Sequence, residues 1–278
     1  MSTSAGSSGT SIPNPPIIAL LSDFGLNDPY VASMKGVILS ICRRAVLIDI
    51  THAVAKFNAQ QGAYLLAATV SYFPPGTIHV CVVDPEVGTE RKALLIKTRR
   101  SYLVGPDNGV LIPAADKEGL ERVIEIRNRK YVLGRISSTF HGRDIFASVA
   151  GHLAEGVSAA EFGPEIEEYV RQKPSKPLVS RDRAVGQIIH IDGFGNIVTN
   201  ISPDELNELK IRAGSMISVG IGLVTKRMKF CSTYNEVDVG EHLALVGSTG
   251  FLEVSVNRGN ASSIHNAQEG SQVTVSSN

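Results

Sequence analysis

Three side chains follow apolar segments of this sequence at positions where a fold can bring them together. Asp84 ends the apolar run 78–83, Arg91 lies seven residues later, and His141 stands in a glycine-containing turn before a predicted helix. A guanidinium beside an aspartate keeps the carboxylate ionised and oriented, and an imidazole can donate or accept a proton. Taken singly, Asp84 fits a capping residue and His141 a structural histidine. If they converge, they can polarise a small nucleophile such as water.

The sequence contains none of the common nucleotide-binding motifs. No GxGxxG follows the first apolar run and no GxxxxGK[ST] occurs, which argues against a dinucleotide or a P-loop triphosphate. Asp23 lies in the segment Ser-Asp-Phe-Gly at 22–25, which contains the Asp-Phe-Gly motif of protein kinases. The other kinase motifs are missing from the sequence. The carboxylate of Asp23 can instead accept hydrogen bonds from the two hydroxyls of a ribose. No histidine pair has metal-ligand spacing, so the sequence predicts no metal site.

The elements that must position these residues alternate between strand and helix. Apolar runs predict buried strands, and 3.6-residue periodicity predicts helices between them. This alternation indicates an α/β domain with a largely parallel sheet, in which ligands bind beyond the carboxyl ends of the strands. The predicted strands span 17–21, 45–50, 78–83, 93–98 and 101–104, and the predicted helices span 29–42, 58–72 and 144–154.

The second half of the sequence has a different pattern. Residues 171–183 are polar, contain prolines and show no periodicity, which predicts a linker. Residues 184–278 carry short, often alternating apolar runs separated by Gly, Asn and Asp, which predicts a smaller all-β, barrel-like domain. The α/β domain is thus expected at 17–170, after a disordered tail at 1–16.

Composition narrows the class of protein further. Lys plus Arg and Asp plus Glu both total 27, so no bulk charge favours nucleic acid. The first 16 residues lack the basic start and apolar core of a secretory signal, and no apolar run approaches the ~20 residues of a membrane span. The three cysteines form no CxxC pair. We therefore expect a cytoplasmic protein that binds neither membrane nor nucleic acid.

Five segments, taken in order, resemble the S-adenosylmethionine (SAM) hydroxide adenosyltransferase family, which is related to the fluorinase and chlorinase. The resemblance covers the chain from about residue 17 to its end. Because several separate motifs keep consistent positions, it is more specific than any one motif. The segments are Leu-Ser-Asp-Phe-Gly at 21–25, Asp-Pro-Glu-Val-Gly-Thr-Glu-Arg at 84–91, Pro-Asp-Asn-Gly at 106–109, Phe-His-Gly-Arg-Asp at 140–144 and Asp-Gly-Phe-Gly-Asn at 192–196.

This resemblance implies SAM hydrolysis by attack of water or hydroxide at ribose C5′, with no cofactor and no metal. It also implies a homotrimer whose active sites lie between the N-terminal domain of one subunit and the C-terminal domain of its neighbour. The catalytic set falls on Asp84, Arg91 and His141. The implied substrate contacts are Asp23 for the ribose, Phe57 and Phe140 beside the sugar and sulfonium, Asp192 and Ser248 for the methionine, and Phe194, Asn196, Phe251, Asn260 and Ala261 around the adenine.

Two departures from the halogenases favour hydroxide over halide. Asp84 stands where the fluorinase has tyrosine, and Gly142 stands where it has serine. A carboxylate repels a halide but accepts a hydrogen bond from water. The fluorinase's long insertion is also missing.

Three alternatives remain open from the sequence. One is a protein that binds SAM or a nucleoside without turnover, for which a ribose clamp and aromatic walls suffice. The second is a metal-dependent phosphatase that would use Asp23, Asp84, Asp144 and His141, and the third is halide transfer.

Overall fold

The computed structural model describes residues 14–171 and 176–277. The chain divides into two units after Arg171. Residues 1–13 of the predicted tail and 172–175 of the predicted linker lie outside the described residues. Among the described residues no helix is long and apolar enough to cross a membrane.

The N-terminal unit is built on a six-stranded sheet in the order β2-β1-β3-β5-β4-β6. The first four strands in this order run parallel, and β4 runs antiparallel to both of its neighbours. This confirms the predicted α/β domain with a largely parallel sheet. The strands are β1 (Ile17–Ser22), β2 (Val46–Thr51), β3 (Ile78–Val82), β4 (Ala93–Thr98), β5 (Tyr102–Pro106) and β6 (Leu120–Glu125).

Helices cover both faces of this sheet. On one face Ile18 and Val80 pack with Met34 and Val149 of α1 and α4, and on the other Cys81 packs with side chains of α2 and α3. Both faces of the central strands are therefore apolar, which is why these strands appear as continuous apolar runs in the sequence. The helices are α1 (Tyr30–Ile41), α2 (Ala59–Thr69), α3 (Ile112–Glu118) and α4 (Ser148–Ala154).

His79 is a fully buried polar residue within β3. Its ring lies edge-on to Phe73 at 5.1 Å between centroids, and both ring nitrogens lack a hydrogen-bond partner among the described residues. Burial lowers the pKa of His79 to about 4. The unfolded chain takes up this proton near pH 6.5, so stability declines as the pH falls from 6.5 towards 4.

We expect the wild type to lose about 2 kcal/mol more unfolding free energy than His79→Leu between pH 7.5 and pH 5. Urea unfolding of both proteins at the two pH values measures this difference. Each protein is compared with itself, so the packing change of the substitution cancels. Equal losses of unfolding free energy in the two proteins would contradict a lowered pKa of His79.

The C-terminal unit is a closed seven-stranded barrel in the order β14-β10-β11-β12-β13-β9-β8, closed by the pairing of β14 with β8. The predicted barrel-like domain is thereby confirmed. The barrel strands are β8 (Arg183–Ile191), β9 (Ile197–Thr199), β10 (Met216–Ile221), β11 (Val224–Phe230), β12 (His242–Val246), β13 (Leu252–Val256) and β14 (Gln272–Ser277). The unit also contains the short strand β7 (Leu178–Val179) and the helices α5 (Pro203–Glu208) and α6 (Ala261–His265).

Several elements were absent from the sequence prediction. In the N-terminal unit these are α3 and β6, and in the barrel β9, β11, α5 and α6. Strand β11 begins with four exposed residues in succession, Thr, Lys and Arg among them, so it lacks the apolar pattern of a buried strand. Within the segment predicted as a linker, β7 pairs with β8 and extends the sheet.

Candidate active site

The carboxyl ends of the parallel strands place polar side chains along one edge of the N-terminal sheet. Ser22 at the end of β1 pairs in register with Val82 at the end of β3. Asp23 and Asp84 therefore follow neighbouring strands at the same edge. Asp107 follows β5 there as well, and its carboxylate accepts a hydrogen bond from the Val170 N–H. This edge is where ligands bind in open α/β sheets.

Asp84 and Arg91 form a buried ion pair at this edge. Arg91 Nε donates to Oδ1 at 2.9 Å and to Oδ2 at 3.1 Å of the Asp84 carboxylate, and Nη2 also donates to Oδ2. The side chain of Arg91 is 5% exposed and that of Asp84 is 4% exposed. The guanidinium also lies 5.3 Å from the centre of the Phe146 ring. Such a fork holds the carboxylate in one orientation.

His141 joins the same guanidinium. Arg91 Nη2 lies 2.9 Å from His141 Nδ1. Because arginine can only donate, Nδ1 is the acceptor and the proton of the neutral ring is on Nε2. Burial, followed by the positive charge of Arg91, lowers the pKa of His141. The structure thus brings Asp84, Arg91 and His141 together, with a neutral imidazole that donates through Nε2.

The segment before His141 is held by Asp144, whose side chain is fully buried. The Ser137 N–H donates to Oδ2 at 2.7 Å, and Arg143 Nε donates to Oδ1 at 2.6 Å. The helical turn Gly142–Ala147 is π-helical and continues into α4. The predicted helix start at residue 144 is thus two residues late, because a π-helical turn has no 3.6-residue periodicity. Asp144 has a positioning role that the sequence did not indicate.

Gly88 allows the loop with Asp84 and Arg91 to meet the segment before His141. Its φ is +82°, and a Cβ atom there would lie 2.2 Å from the carbonyl oxygen of Ser138. The oxygen belongs to the backbone, and the position of a Cβ is fixed by its own backbone, so neither atom can rotate away. Glycine is therefore required for the two loops to approach.

We expect Gly88→Ala to lower the kcat of the expected SAM hydrolysis by about 100-fold. A shift of about 1 Å in the loop would separate Arg91 from His141. The matched control is Gly134→Ala, where a Cβ would meet nothing within 4 Å. Steady-state kinetics of the two variants check the prediction. Similar activity in both would mean that the loop contact does not position the site.

Asp23 lies in a turn held by the segment after β2. Its Oδ2 accepts a hydrogen bond from the Phe57 N–H at 2.8 Å, and Lys56 Nζ donates to its backbone carbonyl. Phe57 has a φ of +66° and a side chain that is 69% exposed. Phe140 packs edge-on against Phe24 at 5.8 Å between centroids. The two predicted aromatic walls thus differ: Phe140 belongs to an aromatic cluster, whereas Phe57 is open to solvent.

In the barrel, Asp192 anchors the hairpin turn between β8 and β9. Its Oδ1 accepts hydrogen bonds from the N–H groups of Phe194 and Asn196, and Oδ2 accepts one from the Asn196 side chain, all at 2.9 Å. Phe194 is 79% exposed, and Asn196 is buried. The turn that the Asp-Gly pair indicates is therefore present, and the carboxylate has a structural role in it.

The other predicted contacts of the barrel fall in two groups. Asn260 caps α6 by accepting from the Ser263 N–H, and Ala261 follows it fully buried. A Cβ at Gly195 would lie 2.2 Å from the Asn260 side chain, so these residues adjoin the Asp192 turn. Ser248 and Phe251 lie in and beside a separate turn between β12 and β13, closed by hydrogen bonds between residues 247, 250 and 251.

The described residues contain no group of three or more His, Cys, Asp or Glu side chains placed to hold a metal ion. Asp23, Asp84, Asp144 and His141, the four residues of the phosphatase alternative, therefore do not form such a group. The oxygens of Asp144 are already engaged by Ser137 and Arg143.

Family models match both units of the chain. The SAM hydroxide adenosyltransferase N-terminal domain matches residues 18–163, and the corresponding C-terminal domain matches residues 186–274.

Curated relatives span nearly the whole chain. A protein of Methanocaldococcus jannaschii named (R)-S-adenosyl-L-methionine hydrolase is 41% identical over 90% of this chain and 92% of its own length. One of the same name from Thermus thermophilus is 35% identical over 93% and 98%. A fluorinase of an Actinoplanes species is 27% identical over 94% and 97%.

Among solved structures, an uncharacterized conserved protein from Thermotoga maritima is 38% identical to this chain. It superposes with a TM-score of 0.89 over 93% of this chain and 99% of its own.

Proposed function

The chain belongs to the SAM hydroxide adenosyltransferase family, and on this premise we propose that it hydrolyses SAM to adenosine and L-methionine. Relatives named as SAM hydrolases are 35–41% identical to it over 90% or more of its length. The observation that carries the proposal is the buried set of Asp84, Arg91 and His141 at the ligand-binding edge of the sheet. A carboxylate fixed in this way can hold water, whereas a protein that only binds SAM has no need of it.

The reaction requires a nucleophile in line with the C5′–sulfur bond of SAM. The water oxygen forms a bond to C5′ while the C5′–S bond breaks and its electron pair stays on sulfur. Methionine leaves as a neutral thioether, so its departure needs no general acid. The water loses one proton, and adenosine, methionine and one H⁺ are formed.

The hydrogen bonds of the site support different roles for its members. His141 Nε2–H donates to the water, because Nδ1 is occupied by Arg91. The neutral ring therefore cannot accept the proton at Nε2. Asp84 accepts a hydrogen bond from the water, orients its lone pair towards C5′ and receives the proton as C–O bond formation proceeds. Arg91 fixes the orientation of both groups.

Further side chains are proposed to bind the substrate. Asp23 accepts hydrogen bonds from the ribose hydroxyls, since its Oδ1 accepts none from the described residues. Phe140 lies beside the sulfonium, where an aromatic face attracts a cation. Seven barrel residues implied by the family resemblance bind methionine and adenine: Asp192, Phe194, Asn196, Ser248, Phe251, Asn260 and Ala261. They do so in a homotrimer, which light scattering of the purified protein can test.

The scheme uses no cofactor and no metal ion. Activity should therefore be the same with and without a chelator. The proposed location is the cytoplasm, whose reducing conditions suit three cysteines that are all free.

The configuration at sulfur is expected to decide which SAM is hydrolysed. The name of the relatives specifies an R compound, and because L already defines the α-carbon, R refers to the sulfonium. The two sulfonium epimers exchange the positions of the methyl group and a longer arm. A site that holds the adenosine and methionine parts of the R epimer in place must accommodate the methyl group of the S epimer at a different position. We expect this to cost about 1–3 kcal/mol in binding of the S epimer.

We expect the R epimer to be hydrolysed with a kcat/KM about tenfold or more above that of the S epimer. Incubation of the purified protein with each separated epimer, followed by quantification of adenosine and methionine, measures this. Equal amounts of the two products support hydrolysis. Persistence of both epimers, with SAM still bound, would instead support a binding protein without turnover.

A further inference from the structure

A hydrogen-bonded chain of three side chains lies directly behind the turn that carries Asp23. Ser22 Oγ is 2.7 Å from His52 Nδ1, and His52 Nε2 is 3.1 Å from Asp49 Oδ1. Ser22 is fully buried, and the His52 side chain is 2% exposed. Asp49 is at the protein surface, where Lys35 Nζ donates to its Oδ2 at 2.6 Å.

Backbone hydrogen bonds tie the same two segments together. The Gly25 N–H donates to the His52 carbonyl at 2.7 Å, and the Val54 N–H donates to the Ser22 carbonyl at 3.4 Å. The Phe24 N–H donates to Ser22 Oγ at 3.3 Å. The turn with Asp23 is thus held on both sides by residues that contact His52 or Ser22.

Asp49, at the protein surface, decides which atoms of these hydrogen-bonded side chains donate and which accept. Burial alone would raise the pKa of Asp49, but hydrogen bonds from Lys35 and His52 lower it overall. An ionised Asp49 only accepts, so His52 carries its proton on Nε2 and accepts through Nδ1. The Ser22 hydroxyl must then donate to Nδ1. The lone pairs of the Ser22 oxygen are then left to accept from the Phe24 N–H. Each polar atom of the Ser22 and His52 side chains thus has a hydrogen-bond partner.

We propose that His52 is a positioning residue, which, through the Ser22 hydroxyl, holds the turn in the conformation that presents the Asp23 carboxylate to the ribose hydroxyls of the substrate. The inference rests on the proposed function, because Asp23 has this role only if a ribose binds there. Ser22 is not a nucleophile in this arrangement, because it is fully buried and its hydroxyl donates to His52. The effect is therefore on recognition of the ribose.

Two amide variants separate the two ends of the imidazole. In His52→Asn the side-chain oxygen can replace Nδ1 and accept from Ser22, whereas the contact with Asp49 is lost. In His52→Gln the longer side chain can replace Nε2 and reach Asp49, whereas Ser22 loses its acceptor. Both variants lose the ring and its packing, so each is a control for the other.

The measurement is the ratio of kcat/KM for SAM to that for its 2′-deoxyadenosyl analogue. A carboxylate that hydrogen-bonds the 2′-hydroxyl should favour SAM by about 100-fold, and Asp23→Asn should abolish most of this preference. We expect His52→Asn to keep the ratio within about threefold of wild type and His52→Gln to lower it about tenfold. A merely structural role would lower kcat/KM for both substrates equally.

Asp49→Ala gives a second test at the surface, should the buried variants fail to fold. It removes the charge that fixes the tautomer of His52, and the ratio should fall about threefold. An unchanged ratio in His52→Gln, or in Asp49→Ala if the buried variants do not fold, overturns the inference but leaves the proposed function standing. Absence of 2′-hydroxyl preference in the wild type overturns the role of Asp23 and this inference. Absence of SAM turnover overturns the proposed function itself.

Discussion

Asp84→Asn should lower kcat for SAM hydrolysis by about 10²–10⁴-fold while KM stays within about threefold. Asparagine keeps the size of the side chain and one oxygen acceptor, but it has no negative charge. It cannot receive the proton from water as the C–O bond forms, and it orients the water less strongly. The substrate contacts proposed elsewhere are unchanged, so binding should persist.

Initial rates together with the Kd for SAM from calorimetry test this prediction. The matched control is Asp107→Asn, a buried carboxylate at the end of the neighbouring parallel strand β5. Burial raises the pKa of Asp107, so an uncharged amide is tolerated there. Comparable loss of kcat in both variants would mean that charge at this edge matters only for folding.

Arg91→Lys should lower kcat by about 100-fold and should also destabilise the fold. Lysine keeps the charge, but one ammonium cannot reproduce the fork that contacts both Asp84 oxygens and His141 Nδ1. The Asp84 carboxylate then loses its fixed direction, and His141 loses the donor that sets its tautomer. Stability should fall by about 1–3 kcal/mol, because hydrogen bonds to a buried charge are removed.

Kinetics of the double variant distinguish a shared role from two separate ones. Residues that act as a unit are strongly non-additive, so Asp84→Asn combined with Arg91→Lys should be about as slow as the slower single variant. Arg127→Lys, at an exposed pair with Glu125, is the control and should retain wild-type activity. Multiplicative losses in the double variant would contradict the proposed unit.

Elements could be predicted from the sequence where their buried residues form a continuous apolar run or a helical spacing of apolar residues. Strands β1 and β3 are apolar on both faces, and α1 has helical spacing, so their positions were predicted closely. Strand β11 was missed because its exposed residues are Lys, Thr and Arg, and α3 was missed because seven residues give too little periodicity. Local pattern therefore predicts the core of the N-terminal unit better than the irregular barrel.

The candidate site was predictable only in part, for a related reason. Asp84 and Arg91 are close in sequence, and a glycine between them permits the return of the chain. His141 is 50 residues from Arg91, so its place came from the family resemblance and not from spacing. The contacts between Ser22, His52 and Asp49 join two different strand ends, which only the sheet order brings together.

The hydrogen bonds of the site also support proposed roles that residue types leave open. A histidine next to an aspartate suggests a base, yet the Arg91 donor at Nδ1 makes His141 a donor at Nε2. Asp192 illustrates a second case, since the carboxylate proposed to bind the methionine ammonium also accepts hydrogen bonds that close a turn. The same side chain therefore has a structural role beside its proposed one.

Attack of water at C5′ is tested most directly by hydrolysis of SAM in ¹⁸O-labelled water, followed by mass spectrometry of both products. Attack of water at C5′ predicts one ¹⁸O atom in the 5′-hydroxyl of adenosine and none in methionine, with and without a chelator. Unlabelled adenosine, label in methionine, or no products at all would contradict it.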